Sequence, residues 1–180
     1  MNVSFNQRIL LSIERANGNQ IFNFIRSVQV FIGLEGIGSY RNNVRLVNSK
    51  QKTTLKESIV CFEFGYARSP ESTEKMVRAV KNLLLHGVKS CKCIGSGVLD
   101  LCYVARGSIE VVYSGVADEG WKPWDFCAGL VILKEAGCTA KPVHLGDEAC
   151  TGDEFNIYAR NGVFGVNEGV VNECRQVITS

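Results

Sequence analysis

No aspartate occurs in the first 99 residues of this 180-residue chain; the first is Asp100. A site that gathers several metal-binding carboxylates must therefore draw them from the last 80 residues, or from a few glutamates. None of the eight cysteines forms a C-x-x-C pair, and His86 and His144 do not complete a zinc pattern. No apolar run approaches the roughly 18 residues of a membrane span. The first 30 residues alternate apolar and polar too finely for the core of a signal peptide. There is no internal repeat and no linker-like stretch. A net charge of +2 argues for neither nucleic acid nor an anionic membrane as partner. That charge is unevenly spread: residues 1–57 carry about +5 and the remainder about −3.

With 46% hydrophobic and 21% charged residues, the chain reads as one ordinary globular domain, or one large part of a larger one. Cys61, Cys91, Cys93, Cys102, Cys127, Cys138, Cys150 and Cys174 lie largely inside apolar patterns, where a free thiol behaves as a small hydrophobe. They read as reduced thiols of a cytoplasmic protein rather than as a secreted disulfide framework.

Residues 1–34 fit either strands or one helix and show no catalytic spacing. The glycine run Gly33–Gly38 is turn-like, but without a following Lys-Ser/Thr pair it is weak evidence for a phosphate loop. Asn42-Asn43 marks a hairpin turn before a short strand that opens at Val44. Ile59–Phe64 has the apolar density of a covered strand. Ser69, Pro70 and Glu71 form a strong helix start, Met76, Val77, Val80, Leu83 and Leu84 recur at helical spacing, and Gly87 stops the run. Val88–Ile94 predicts a strand leading into Gly95-Ser96-Gly97, with a helix from about residue 97 to Arg106. A strand, a small-residue turn and a helix N-terminus aim backbone N–H groups at an anion, although the same glycines also suit tight strand–helix packing. Ile109–Tyr113 reads as the next strand.

The loop Asp118-Glu119-Gly120-Trp121-Lys122-Pro123 delivers Trp124-Asp125, which opens an apolar helix ending at Gly137. Asp125 sits where an N-cap or first-turn acid is favoured by exposed amides and the positive end of the helix dipole. Short strands are expected at Thr139–Val143 and Asn156–Arg160, and a closing amphipathic helix at Val166–Ile178. The alternation of strands and helices predicts an α/β fold with helices layered on a mixed sheet.

The run GSGVLDLCYVARGSIEVVY followed by DEGWKPWDFCAGLVILKEAG resembles the C-terminal half of the inositol monophosphatase family, magnesium-dependent phosphomonoesterases. The likeness starts near Glu35, with EGIGSYRNNVRL and FEFGYARSPES, and runs to the end. It divides the chain into a divergent lead-in, 1–34, and a partial family domain, 35–180. Its signature falls on Trp124, Asp125, Ala128, Gly129, Ile132, Glu135, Ala136 and Gly137, with Cys138 where the family usually has another glycine.

The resemblance implies a layered αβαβα sugar-phosphatase fold, of which this chain holds the later layers. It also implies Mg2+ as cofactor and Asp125 as metal ligand and substrate contact. Gly95, Ser96 and Gly97 become a substrate cradle, and Asp118 stands where the family generally has a glutamate that binds an inositol hydroxyl. Inositol monophosphate or a similar sugar phosphate is the implied partner, with a homodimer or a mixed dimer with a full-length sibling. The family's Asp-Pro-x-Asp-Gly-Thr segment is missing from these 180 residues. The expectation is therefore a truncated phosphatase that is weakly active or inactive by itself. The alternatives are a non-catalytic binding or dimerisation module, and a related bisphosphate nucleotidase or sugar phosphatase.

Overall fold

The computed structural model describes residues 3–5, 29–48, 53–117, 120–144, 150–151, 154–156 and 158–180. The chain opens with four strands, β1 (Val3–Phe5), β2 (Phe31–Leu34), β3 (Gly38–Arg41) and β4 (Val44–Arg45), paired in that order as an antiparallel sheet. Asn42 and Asn43 both adopt positive φ, 48° and 66°, the backbone that a two-residue hairpin turn requires.

A mixed sheet follows. Its strands are β5 (Ile59–Glu63), β6 (Ser90–Lys92), β7 (Val111–Ser114), β8 (Thr139–Lys141) and, after a small β9–β10 hairpin (Cys150–Thr151 and Glu154–Phe155), β11 (Gly162–Gly165). The order across it is β6-β5-β7-β11-β8. β5 runs parallel to both β6 and β7, whereas β11 is antiparallel to β7 and β8. Every residue of β7 and β11 is buried, as central strands covered on both faces should be.

The helices are α1 (Pro70–His86), α2 (Gly97–Ala105), α3 (Pro123–Glu135) and α4 (Glu168–Thr179). α1 starts as its sequence predicts: the Ser69 hydroxyl accepts a hydrogen bond from the Ser72 N–H at 3.1 Å, Pro70 opens the first turn, and Gly87 ends the helix at φ 87°. Asn167 caps α4 by accepting from the Val170 N–H at 2.8 Å.

The elements stack in four layers. Met76, Ala79 and Leu83 of α1 and Val170, Val171, Cys174 and Ile178 of α4 pack on one face of the mixed sheet. Leu101, Val104, Phe126 and Leu133 of α2 and α3 pack on the other. The opposite side of the same helix pair, Cys102, Ala105, Ile132 and Ala136, meets Phe31 of β2 and Leu46, just past β4. This β–α–β–α stack is the α/β architecture that the sequence predicts. No described element covers the outer face of the antiparallel sheet, where Ile32 and Leu34 lie half-buried. Among the described residues no helix is long and apolar enough to cross a membrane.

One expected strand is displaced. Asn156–Arg160 is not a strand over its described residues; the strands lie on either side, at Glu154–Phe155 and Gly162–Gly165. The Asn156 side-chain oxygen accepts from the Tyr158 N–H at 2.9 Å, and its carbonyl accepts from the Ala159 N–H at 2.9 Å. An asparagine bonding the backbone two residues on makes a turn that competes with sheet pairing.

Candidate functional site

Two helix N-termini define the site. At the first, β6 runs into the turn Gly95-Ser96-Gly97 and then into α2. Gly95 has φ 89°, and Ser96 is the extended N-cap residue, without a side-chain cap bond. The first intrahelical bond runs from the Asp100 N–H to the Ser96 carbonyl at 2.9 Å. The amides of Gly97, Val98 and Leu99 come before it and have no partner within the helix.

The two donors just upstream are already taken. Glu63, at the end of β5, accepts at Oε1 from the N–H groups of Ile94 (3.0 Å) and Gly95 (2.6 Å). Its Oε2 lies 3.6 Å from Cys93 Sγ. The parallel register that sets Cys61 opposite Lys92 brings Glu63 to this turn. Glycine at 97 answers to packing: a Cβ there would lie 2.7–3.0 Å from three indole carbons of Trp121. Glycine at 97 thus permits close packing of the turn on Trp121.

Trp121 leads to the second N-terminus. It is buried, stacked on Phe164 at 5.7 Å and 11° and tilted against Phe126 at 5.5 Å. α3 then opens with Pro123, and Asp125 is its third residue. Asp125 Oδ2 accepts from the Lys122 N–H at 2.9 Å, while its own N–H donates to the Lys122 carbonyl at 2.8 Å. This is half of a capping box, because lysine has no side-chain acceptor to return. Trp124, beside Asp125 in the sequence, stands 69% exposed. The packing partner is Trp121.

Gly95, Ser96, Gly97 and Asp125 therefore occupy two N-termini joined through one indole. Asp118 lies outside the described residues. As a magnesium site the described part is incomplete. Asp125 belongs to no described group of three or more potential ligands, and one of its oxygens already serves as a cap. Mg2+ needs near-octahedral oxygen ligation, usually from more than one anionic oxygen, and this single carboxylate does not fit it.

Beside the first N-terminus the fold gathers a cluster that no local sequence signal announces. One ligand atom each from Cys61, Glu63 and Asp100 lies within 4.8 Å of the others. Cys61 and Glu63 share a face of β5 by the two-residue strand period, and Asp100 comes from the first turn of α2. Asp100 is fully buried, and neither of its carboxylate oxygens has a hydrogen bond of acceptable geometry, although the other two groups lie close by. Burial first, and the Glu63 charge second, push its carboxyl up to about 8. Burial, with Asp100 and Glu63 adding to it, pushes the Cys61 thiol far above the usual range. Seven of the cysteines are free thiols; the side chain of Cys150 lies outside the described residues.

Comparison with known proteins places these features in a lineage. The chain is 38% identical over 109 residues to inositol monophosphatase 1 of Solanum lycopersicum, covering 61% of this chain and 38% of that one. It is 35% identical over 109 residues to the fructose-1,6-bisphosphatase/inositol-1-monophosphatase of Aquifex aeolicus, covering 61% and 39%. The chain thus spans about two-fifths of the length of these two curated relatives. In three dimensions it matches the extragenic suppressor protein suhB of Bartonella henselae with a TM-score of 0.68 at 20% identity, over 85% of this chain and 54% of that one. The family model for the inositol monophosphatase family matches residues 19–175, and with the two joined N-termini in place the conclusion is plain: the chain belongs to the inositol monophosphatase family.

Proposed function

We propose that this chain carries the substrate-facing half of a phosphomonoesterase site for inositol monophosphate or a similar sugar phosphate, and that these 180 residues alone turn substrate over weakly or not at all. The observation that carries the reading is the Gly97–Trp121 contact. It ties the turn before α2 to the loop that delivers Asp125, so the two recognised segments act as one surface.

Each residue has a distinct part. The first-turn amides of α2 offer donors to phosphate oxygens, supported by the helix dipole. Gly95, Ser96 and Gly97 shape the approach, and Asp118 accepts from a sugar hydroxyl. Asp125 supplies one carboxylate towards a divalent metal. Mg2+ would supply polarisation of the phosphoryl group in this family's chemistry, but the single Asp125 carboxylate would not hold it for turnover.

The test pairs two measurements on the purified chain: phosphate release from inositol 1-phosphate with Mg2+, and binding of the same ligand by calorimetry. Binding with release at least a thousandfold below ordinary turnover, which is about 10 per second, supports the proposal. Release at an ordinary rate overturns the weak-activity part, and absence of binding overturns the half-site. Binding with no measurable release supports the proposal equally, in its non-catalytic form. A sugar-bisphosphate specificity is the second reading, favoured by the name of the Aquifex aeolicus relative; tighter binding of fructose 1,6-bisphosphate than of inositol 1-phosphate selects it.

A further inference from the structure

The Cys61–Glu63–Asp100 cluster has a fourth member. Cys93 follows β6, which pairs with β5 so that Cys61 faces Lys92, and its Sγ sits 3.6 Å from Glu63 Oε2. We propose that Cys61, Glu63, Cys93 and Asp100 form a binding site for a thiophilic divalent cation of the zinc class, held by two thiolates and two carboxylates.

Three independent features point to a cation. The first is the orphaned Asp100. A fully buried carboxyl whose oxygens make no hydrogen bond of good geometry, with only the Glu63 and Cys61 groups close by, is costly, and a metal ion shared with those groups supplies a partner. The second is spacing. Tetrahedral zinc, with bonds of about 2.0–2.3 Å, separates its ligand atoms by about 3.3–3.8 Å. The Glu63–Cys93 pair already meets that spacing, and Cys61, Glu63 and Asp100, within 4.8 Å of one another, need a closure of about an ångström or less, while Cys93, on the exposed side, swings in to complete the set.

The third feature is preorganisation. Glu63 is oriented by two backbone N–H donors on Oε1, which leaves Oε2 for the ion, as outer-shell hydrogen bonds orient the ligands of known metal sites. Cys61 and Asp100 form the buried floor, while Cys93 is exposed and gives the ion a way in.

The donor set selects the ion. Two sulfurs favour zinc, cobalt or cadmium over magnesium or calcium, which prefer all-oxygen shells. Each thiol that binds exchanges its proton for a metal–sulfur bond, and the proton passes to solvent; Asp100 gives up its proton in the same way. The loaded site joins the ends of β5 and β6 to the first turn of α2 and so fixes the Gly95–Gly97 turn. The site is distinct from Asp125, and its test needs no phosphatase activity.

Co2+ is the probe. The full chain, stripped with a chelator and kept under a non-thiol reductant, is titrated with Co2+ and then with Zn2+. The expected result is a thiolate-to-cobalt charge-transfer band that saturates at one equivalent and disappears on adding one equivalent of Zn2+, with at least two protons released per ion at pH 7. Cys93→Ser, at an exposed position, weakens cobalt binding at least tenfold and diminishes the band. Asp100→Asn weakens binding at least tenfold with the band retained at saturation. Cys127→Ser, an exposed thiol elsewhere, changes nothing. Absence of a one-equivalent band in the parent chain overturns the proposal. So does full affinity in both Cys93→Ser and Asp100→Asn, or loss of the band in Cys127→Ser.

Discussion

α2 and α3 lie side by side, and each carries one aspartate in its first turn: Asp100 and Asp125. Both side chains stand at the positive end of a helix dipole, which favours a carboxylate. Asp125 is partly exposed and bonded to the Lys122 amide, and so is satisfied as a cap. Asp100 is buried, faces Glu63 and makes no hydrogen bond of good geometry, and burial together with the Glu63 charge pushes its carboxyl up to about 8. A dipole contribution of about 1 kcal/mol is outweighed when desolvation and a like charge act together. Two aspartates one position apart in the first turns of neighbouring helices thus do opposite work, and the neighbours decide which.

The largest expected effect is the pH response of Asp100. In the chelator-treated chain, a carboxyl that is neutral in the fold and ionised when unfolded stabilises fully below its ordinary value of 3.8, and that contribution is lost as pH rises to about 8. Urea unfolding across this range should show a loss of up to about 5 kcal/mol attributable to Asp100. Asp100→Asn flattens that part of the slope; equal slopes in the parent and Asp100→Asn break the contrast.

Next in size is Phe126→Ala. Phe126 is fully buried against Trp121 and Phe164, and its truncation should cost about 3–5 kcal/mol by denaturant melting. Gly129→Ala probes the seam between the two helices. Its Cβ would meet Leu101 carbons at 2.5 and 2.9 Å, so a loss of about 1–3 kcal/mol is expected in thermal unfolding. The smallest effect is at the cap. Asp125→Ala should lose about 1 kcal/mol, whereas Asp125→Asn, which keeps an acceptor for the Lys122 amide, should lose almost none. A cost for Asp125→Asn as large as for Asp125→Ala would show that the charge, not the hydrogen bond, stabilises this terminus.

Elements governed by local chemistry were legible in the sequence. Ser69-Pro70 and Gly87 bracket α1, and Gly137, at φ 79°, ends the α3 segment as expected. The strand expected at Asn156–Arg160 is displaced because the Asx turn at Asn156 wins in the fold. Trp124 was the tryptophan singled out in the sequence, yet Trp121 is core and Trp124 is exposed. That difference depends on Phe164, about 40 residues further along. The Cys61–Glu63–Asp100 cluster was illegible for the same kind of reason. It arises from parallel pairing between strands some 30 residues apart and from the helix that follows, and no short window of sequence contains it.

The helix pair between two sheets has a consequence for how the molecule opens. α3 presents Phe126 and Leu133 to the mixed sheet and Ile132 and Ala136 to the antiparallel one, so neither of those faces is free to loosen first. α1 leaves Val77, Leu84 and Leu85 in water. Deuterium exchange should therefore separate the two helices in time. The amides of α1 exchange through local opening, and those of mid-α3 wait for global unfolding, so that their slowest rates read out the stability of the whole chain.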